Sequence, residues 1–109
     1  MFNDSIKGNN MMLSKIDYLL SCISEECGEI IQVIGKSQRF GLNDINPSKQ
    51  LSNKILLKLE IHDLITAYKM LLEELNENFE IEDVLIQDKI KRIKKYMKYS
   101  EEVKRLEVC

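Results

Sequence analysis

From Leu13 onward the apolar residues recur at alternating steps of three and four: Leu13, Ile16, Leu20, Ile23, Cys27, Ile30 and Ile34. At 3.6 residues per turn that spacing puts them on one face of a helix, so the pattern predicts a helix over residues 11–38. Gly41 stands where a C-terminal cap is expected. Asn46 before Pro47 predicts the start of a second helix, with Asn as cap and Pro in the first turn. That helix is expected to run to Asn76 on the stripe Leu57, Ile61, Leu64, Tyr68, Leu71 and Leu75. The period is lost over residues 76–82. A third helix is predicted from Asp83, with Leu85, Ile86, Ile90, Ile93, Met97 and Val103 on its apolar side. Residues 1–10 are polar and without period, and are expected to form a flexible arm. Residues 11–109 are then expected to be a single all-α domain, a mostly antiparallel helical bundle.

Each of the first two helices carries a second stripe beside its main one. On helix one it reads Met12, Leu19, Cys22, Glu26, Glu29 and Val33; on helix two it reads Leu56, Glu60, Asp63, Ala67 and Met70. In both, two carboxylates three residues apart replace apolar residues on the same face. If the helices pack antiparallel, Glu26 and Glu29 can face Glu60 and Asp63. Four carboxylates in a partly buried pocket repel one another and lose water, and both effects raise their pKa values. Neither stripe carries Lys or Arg within the acidic patch, so a hard cation is the expected remedy. An all-oxygen donor set suits Mg²⁺, with Mn²⁺ possible, and argues against zinc. Either pair alone would be ordinary on a solvated helix; two pairs set in apolar stripes are not.

Composition narrows the partners. At 109 residues the chain has one domain's length, and its net charge is only −2. Residues 25–82 hold eleven acidic and six basic side chains, whereas residues 83–109 hold eight basic and five acidic. A mixed-sign, solvated helix explains that C-terminal excess better than a nucleic-acid interface does. No apolar run approaches 18 residues, which argues against a membrane span. Cys22, Cys27 and Cys109 are odd in number and lack metal-site spacing, as expected for a cytoplasmic protein with reduced thiols.

The run Glu25-Glu26-Cys27-Gly28-Glu29, followed by Glu60-Ile61-His62-Asp63, resembles the EExxE…ExxD signature of the MazG-type all-α nucleoside triphosphate pyrophosphohydrolases. The surrounding text, SEECGEIIQVIGKSQRFG and LKLEIHDLITAYKMLLEEL, looks like the small phage and bacterial members, and the likeness covers roughly residues 13–75. The interval from Ile30 to Leu59 is longer than many members have. The resemblance implies cleavage of an NTP or dNTP to a nucleoside monophosphate and pyrophosphate, dependence on Mg²⁺, and assembly as a homodimer or homotetramer of helical bundles. By matching position it makes Glu26, Glu29, Glu60 and Asp63 metal ligands, and it gives Glu25 a water-orienting role. Glu25 lies about 100° around the helix from Glu26 and cannot easily join the same ligand row.

Lys36 and Arg39, past Glu29 on the same helix, are the nearest cations for the outer phosphates, with Glu25 or Glu29 accepting a proton from the attacking water. His62 and Phe40 read as a polar residue beside the site and an aromatic folding back on the core, and Tyr68 as core. The apolar side of helix three is expected to drive self-association. Two alternatives stand beside the enzyme: a non-catalytic helical interaction module, or the same fold specialised for dUTP, dCTP or phosphoribosyl-ATP.

Overall fold

A computed structural model describes residues 12–108. The expected arm over residues 1–10, and Cys109, lie outside the described residues. The described residues are mostly helical, as the periodicity predicts: α1 is Lys15–Phe40, α2 is Asn53–Glu74 and α3 is Asp83–Glu102. A small antiparallel hairpin, β1 (Ile45–Asn46) and β2 (Leu51–Ser52), joins the first two, with Ile45 opposite Ser52 and Asn46 opposite Leu51.

Caps explain where α1 begins and ends. Ser14 Oγ accepts the Asp17 N–H at 3.1 Å, which satisfies one of the donors a helix start leaves free. At the other end Gly41 takes φ 98°, a conformation hostile to a Cβ, and its N–H donates to the Ser37 carbonyl at 2.8 Å.

The start of α2 differs from the sequence expectation. Asn46 does cap, its Oδ1 accepting the Ser48 and Lys49 N–H groups at 2.9 and 3.0 Å, but it caps an isolated turn inside the hairpin. Gln50 then adopts φ 59°, which stops helical propagation, and the helix starts only at Asn53. Its true cap is Ser52, whose Oγ accepts the Ile55 N–H at 3.2 Å. An Asn-Pro signal is local chemistry and serves one turn as well as six.

α1 and α2 pack antiparallel. The Gly41 carbonyl accepts from Asn53 Nδ2 at 2.9 Å and the Leu42 carbonyl from the Lys54 N–H at 2.9 Å, which ties the end of α1 to the start of α2. At the opposite end Leu13, Tyr18 and Leu19 share an apolar notch with Met70 and Glu73. Leu19, Leu56, Ala67, Leu71 and Leu72 are the buried apolar side chains, and Asn53, 2% exposed, is the buried polar one. Leu19, Leu56 and Ala67 belong to the second stripes, the ones that carry the carboxylates, and Leu71 is the one main-stripe residue among the buried set. The main stripes are otherwise largely outside the packed seam. Ile16, Leu20 and Ile34 on α1, and Ile61, Tyr68 and Leu75 on α2, are all exposed. Tyr68, expected in the core, instead meets Phe79 edge-on with ring centroids 6.1 Å apart.

The chain divides into two compact units, the first reaching Phe79 and the second starting at Glu80. The second consists chiefly of α3, which has no buried residue along its length.

Candidate metal centre

The antiparallel register brings the middle of α1 against the middle of α2. One ligand oxygen from each of Glu26, Glu60 and Asp63 lies within 4.8 Å of the others, close enough for a single ion to bridge them. Glu26 and Glu60 are half-buried and Asp63 is exposed, so the cluster opens at the Asp63 side. Glu29 stands outside this trio but within hydrogen-bonding range of the Glu60 carboxyl.

The electrostatics are those of crowded anions. The Glu60 pKa is raised to about 7, first by hydrogen bonding with the Glu29 side chain, then by burial and by the charges of Glu29, Asp63 and Glu26. Glu26 is also pushed up, chiefly by loss of water and then by Asp63, Glu29 and Glu25. No cation contributes to either shift. Glu60 Oε2 is buried and has no hydrogen-bond partner. A buried acceptor left alone is costly, and native structures rarely leave one without a proton, water or ion. Carboxylate oxygens alone make up the donor set, which fits a hard divalent cation such as Mg²⁺ or Mn²⁺.

Beside the cluster runs a groove of about 410 Å³, within the size range of small-molecule sites. Glu25, Glu29, Glu60, Lys36 and Lys49 line it together with Asn46 and Asn53. Carboxylates and two ammonium groups therefore share one cleft. Gly28 lies in its wall, and a Cβ there would meet nothing within 4 Å, so the glycine leaves the cleft wider without being forced by packing.

The residues singled out in the sequence separate into three groups. Glu26, Glu60 and Asp63 converge as expected. Glu25, Glu29 and Lys36 line the adjoining groove, Glu29 touching Glu60 rather than completing the trio. Arg39 is not among the residues that line the groove; its guanidinium lies 5.4 Å from the centre of the Phe40 ring. Phe40 itself is exposed rather than folded onto the core. His62 also turns to its own helix, donating from Nδ1 to the Lys58 carbonyl at 2.7 Å.

Lys49 was not foreseen. It comes from the hairpin that fills the long interval between the two motif halves. A turn residue facing back on a helix has no periodicity to betray it. The only signal was the length of that interval. No protein-family model, curated protein or solved structure matches the chain.

Proposed function

We propose that this chain is a divalent-metal-dependent nucleoside triphosphate pyrophosphohydrolase, cleaving its substrate between the α- and β-phosphates. The observation that carries this reading is the convergence of Glu26, Glu60 and Asp63, with Glu60 Oε2 buried and unpartnered, beside a groove that also holds two lysines. The same residues stand in the EECGE and EIHD segments, whose resemblance to the MazG-type signature also supports it.

A divalent ion held by Glu26, Glu60 and Asp63 would neutralise triphosphate charge and make water a better nucleophile. The chain's own residues supply the rest. Lys36 and Lys49 bind the outer phosphates, where developing negative charge is stabilised as pyrophosphate leaves. Glu25 and Glu29 orient a water towards the α-phosphorus and accept its proton as the new P–O bond forms. The bond from the α-phosphorus to the bridging oxygen breaks, and that oxygen departs with pyrophosphate.

The test is pyrophosphate release from a panel of ribo- and deoxyribonucleoside triphosphates, dUTP and dCTP included, with Mg²⁺ or Mn²⁺. Activity is expected to fall by about a hundredfold or more in Glu29→Gln and Asp63→Asn. If no nucleotide in the panel yields pyrophosphate and the melting temperature ignores both ions, the acidic seam belongs to a non-catalytic helical module instead.

A further inference from the structure

We infer that α3 is an interfacial helix that lays its apolar face on a membrane surface rich in anionic lipid. Ile86, Ile90, Ile93 and Met97 recur at steps of four, three and four, so they form one row along the helix. All four are 37–48% exposed, and no residue of α3 is buried. From Lys89 to Lys98 the helix carries six cations and no acid. At 100° per residue Lys89 and Lys94 border the row, each about 40° beyond its edge. Lys89 and Arg92 also surround, with Ile93, Tyr96 and Met97, a hollow of about 400 Å³. Cationic and apolar side chains therefore meet in one place, as the charged head and acyl chain of an anionic lipid do. Tyr96, exposed beside the row, supplies a ring of the kind that settles at headgroup depth.

The occupant is argued from charge. The chain as a whole carries −2, so attraction to a negative surface has to come from this segment. A nucleic acid would engage the cations through its phosphates and leave the apolar row in water. A protein groove would cover the row but pair only the cations at its rim. An anionic lipid surface does both. Its acyl boundary takes the row, and the stems of Lys89 and Lys94 lie along it while their ammonium groups stay among the headgroups. The surface potential extends over a Debye length of about 8–10 Å, comparable with the thickness of a helix, and so acts on all six cations. This mode needs no spanning segment, and none of the described helices is long and apolar enough to cross a membrane. The inference does not rest on the proposed chemistry.

Flotation of the full chain with vesicles is the experiment, using phosphatidylcholine alone or phosphatidylcholine mixed with phosphatidylserine. At low salt the protein should float with the mixed vesicles only, and salt at about 0.5 M should release it. Lys94→Glu combined with Lys98→Glu should weaken binding by about a hundredfold or more, since each charge near the surface is worth about fivefold. Ile93→Glu should weaken it by about tenfold or more. Should these variants lose α3 by circular dichroism, Tyr96→Trp keeps the row and the cations. Its emission should shift to the blue on the mixed vesicles and resist quenching by acrylamide. Equal flotation with both vesicle types, no flotation at low salt, or an emission that does not shift overturns the inference. Two further results also overturn it: retention of an oligonucleotide with no vesicle binding, which assigns the cations to nucleic acid, and α3 amide protection that rises with protein concentration while vesicles are ignored, which assigns the row to a second copy.

Discussion

Glu60 is the residue on which the site's electrostatics turn. Its folded-state pKa is raised to about 7, against an ordinary value near 4.5, because Glu29, burial, Asp63 and Glu26 all disfavour its charge. The folded protein therefore holds a proton there that the unfolded chain gives up. That contribution to stability is complete below about pH 4.5 and is lost as pH rises through about 7. In the presence of a chelator the melting temperature should fall by several degrees between about pH 5 and about pH 8. Mg²⁺ or Mn²⁺ competes with that proton, so metal-induced stabilisation should grow over the same interval. Glu60→Gln removes the charge and keeps the shape. It should melt higher than the unsubstituted protein at alkaline pH, and should no longer respond to metal. Parallel melting profiles for the two proteins would show that Glu60 is not crowded as described. Lys49 gives a separate test, since it lines the groove but is not one of the carboxylates. Lys49→Ala should raise KM for the triphosphate by about tenfold, the loss of one charge-assisted hydrogen bond, and leave Mn²⁺ affinity unchanged.

Among the elements, the hairpin between α1 and α2 decides whether the carboxylates meet at all. Asn53 is its anchor: 2% exposed, with Nδ2 donating to the Gly41 carbonyl and its backbone N–H donating to the Asp44 carbonyl at 3.0 Å. Asn53→Leu would leave the Gly41 carbonyl without that donor and put a bulkier apolar group in the same space. The expected loss is about 1–3 kcal/mol in urea denaturation, larger than the about 1 kcal/mol expected for removing the Ser52 cap by Ser52→Ala. Equal losses would mean that Asn53 only caps and does not hold the helices in register. Helix existence was legible in the alternation of three and four, because that spacing has no other common meaning. So was the convergence of Glu26, Glu60 and Asp63, since acids in an apolar stripe must face something. Which stripe packs was not legible. Leu13–Ile34 and Leu57–Leu75 are more apolar than the carboxylate stripes beside them, yet they lie largely outside the seam. Periodicity says which side chains share a face, and the identity of the partner for that face is a tertiary fact. The same limit hid Lys49, and it made Asn46–Pro47 look like a helix start when Gln50, at φ 59°, ends the turn four residues later.

At the level of the whole chain the two compact units differ in what holds them together. The unit reaching Phe79 has a seam of buried Leu and Ala side chains and tied helix ends, whereas α3 buries none of its twenty residues. Its first turn has an acidic residue, Asp83, but Glu82 makes no side-chain cap bond, and no basic residue lies in its last turn to offset the helix dipole. An isolated helix of this length is marginal in water, because most helical stability in proteins comes from packing rather than propensity. Local opening should therefore be cheapest in α3. Hydrogen exchange read by mass spectrometry should show amides of residues 84–102 exchanging at least about tenfold faster than those near Leu19, Leu56 and Leu71. Adding Mg²⁺ should slow exchange around Glu26, Glu60 and Asp63, where the ion would join α1 to α2, and leave α3 unchanged. Protection in α3 equal to that of the seam would require a partner surface for Ile86, Ile90, Ile93 and Met97. The variant Ile90→Glu would then expose it, by restoring fast exchange in α3 while the seam stays protected.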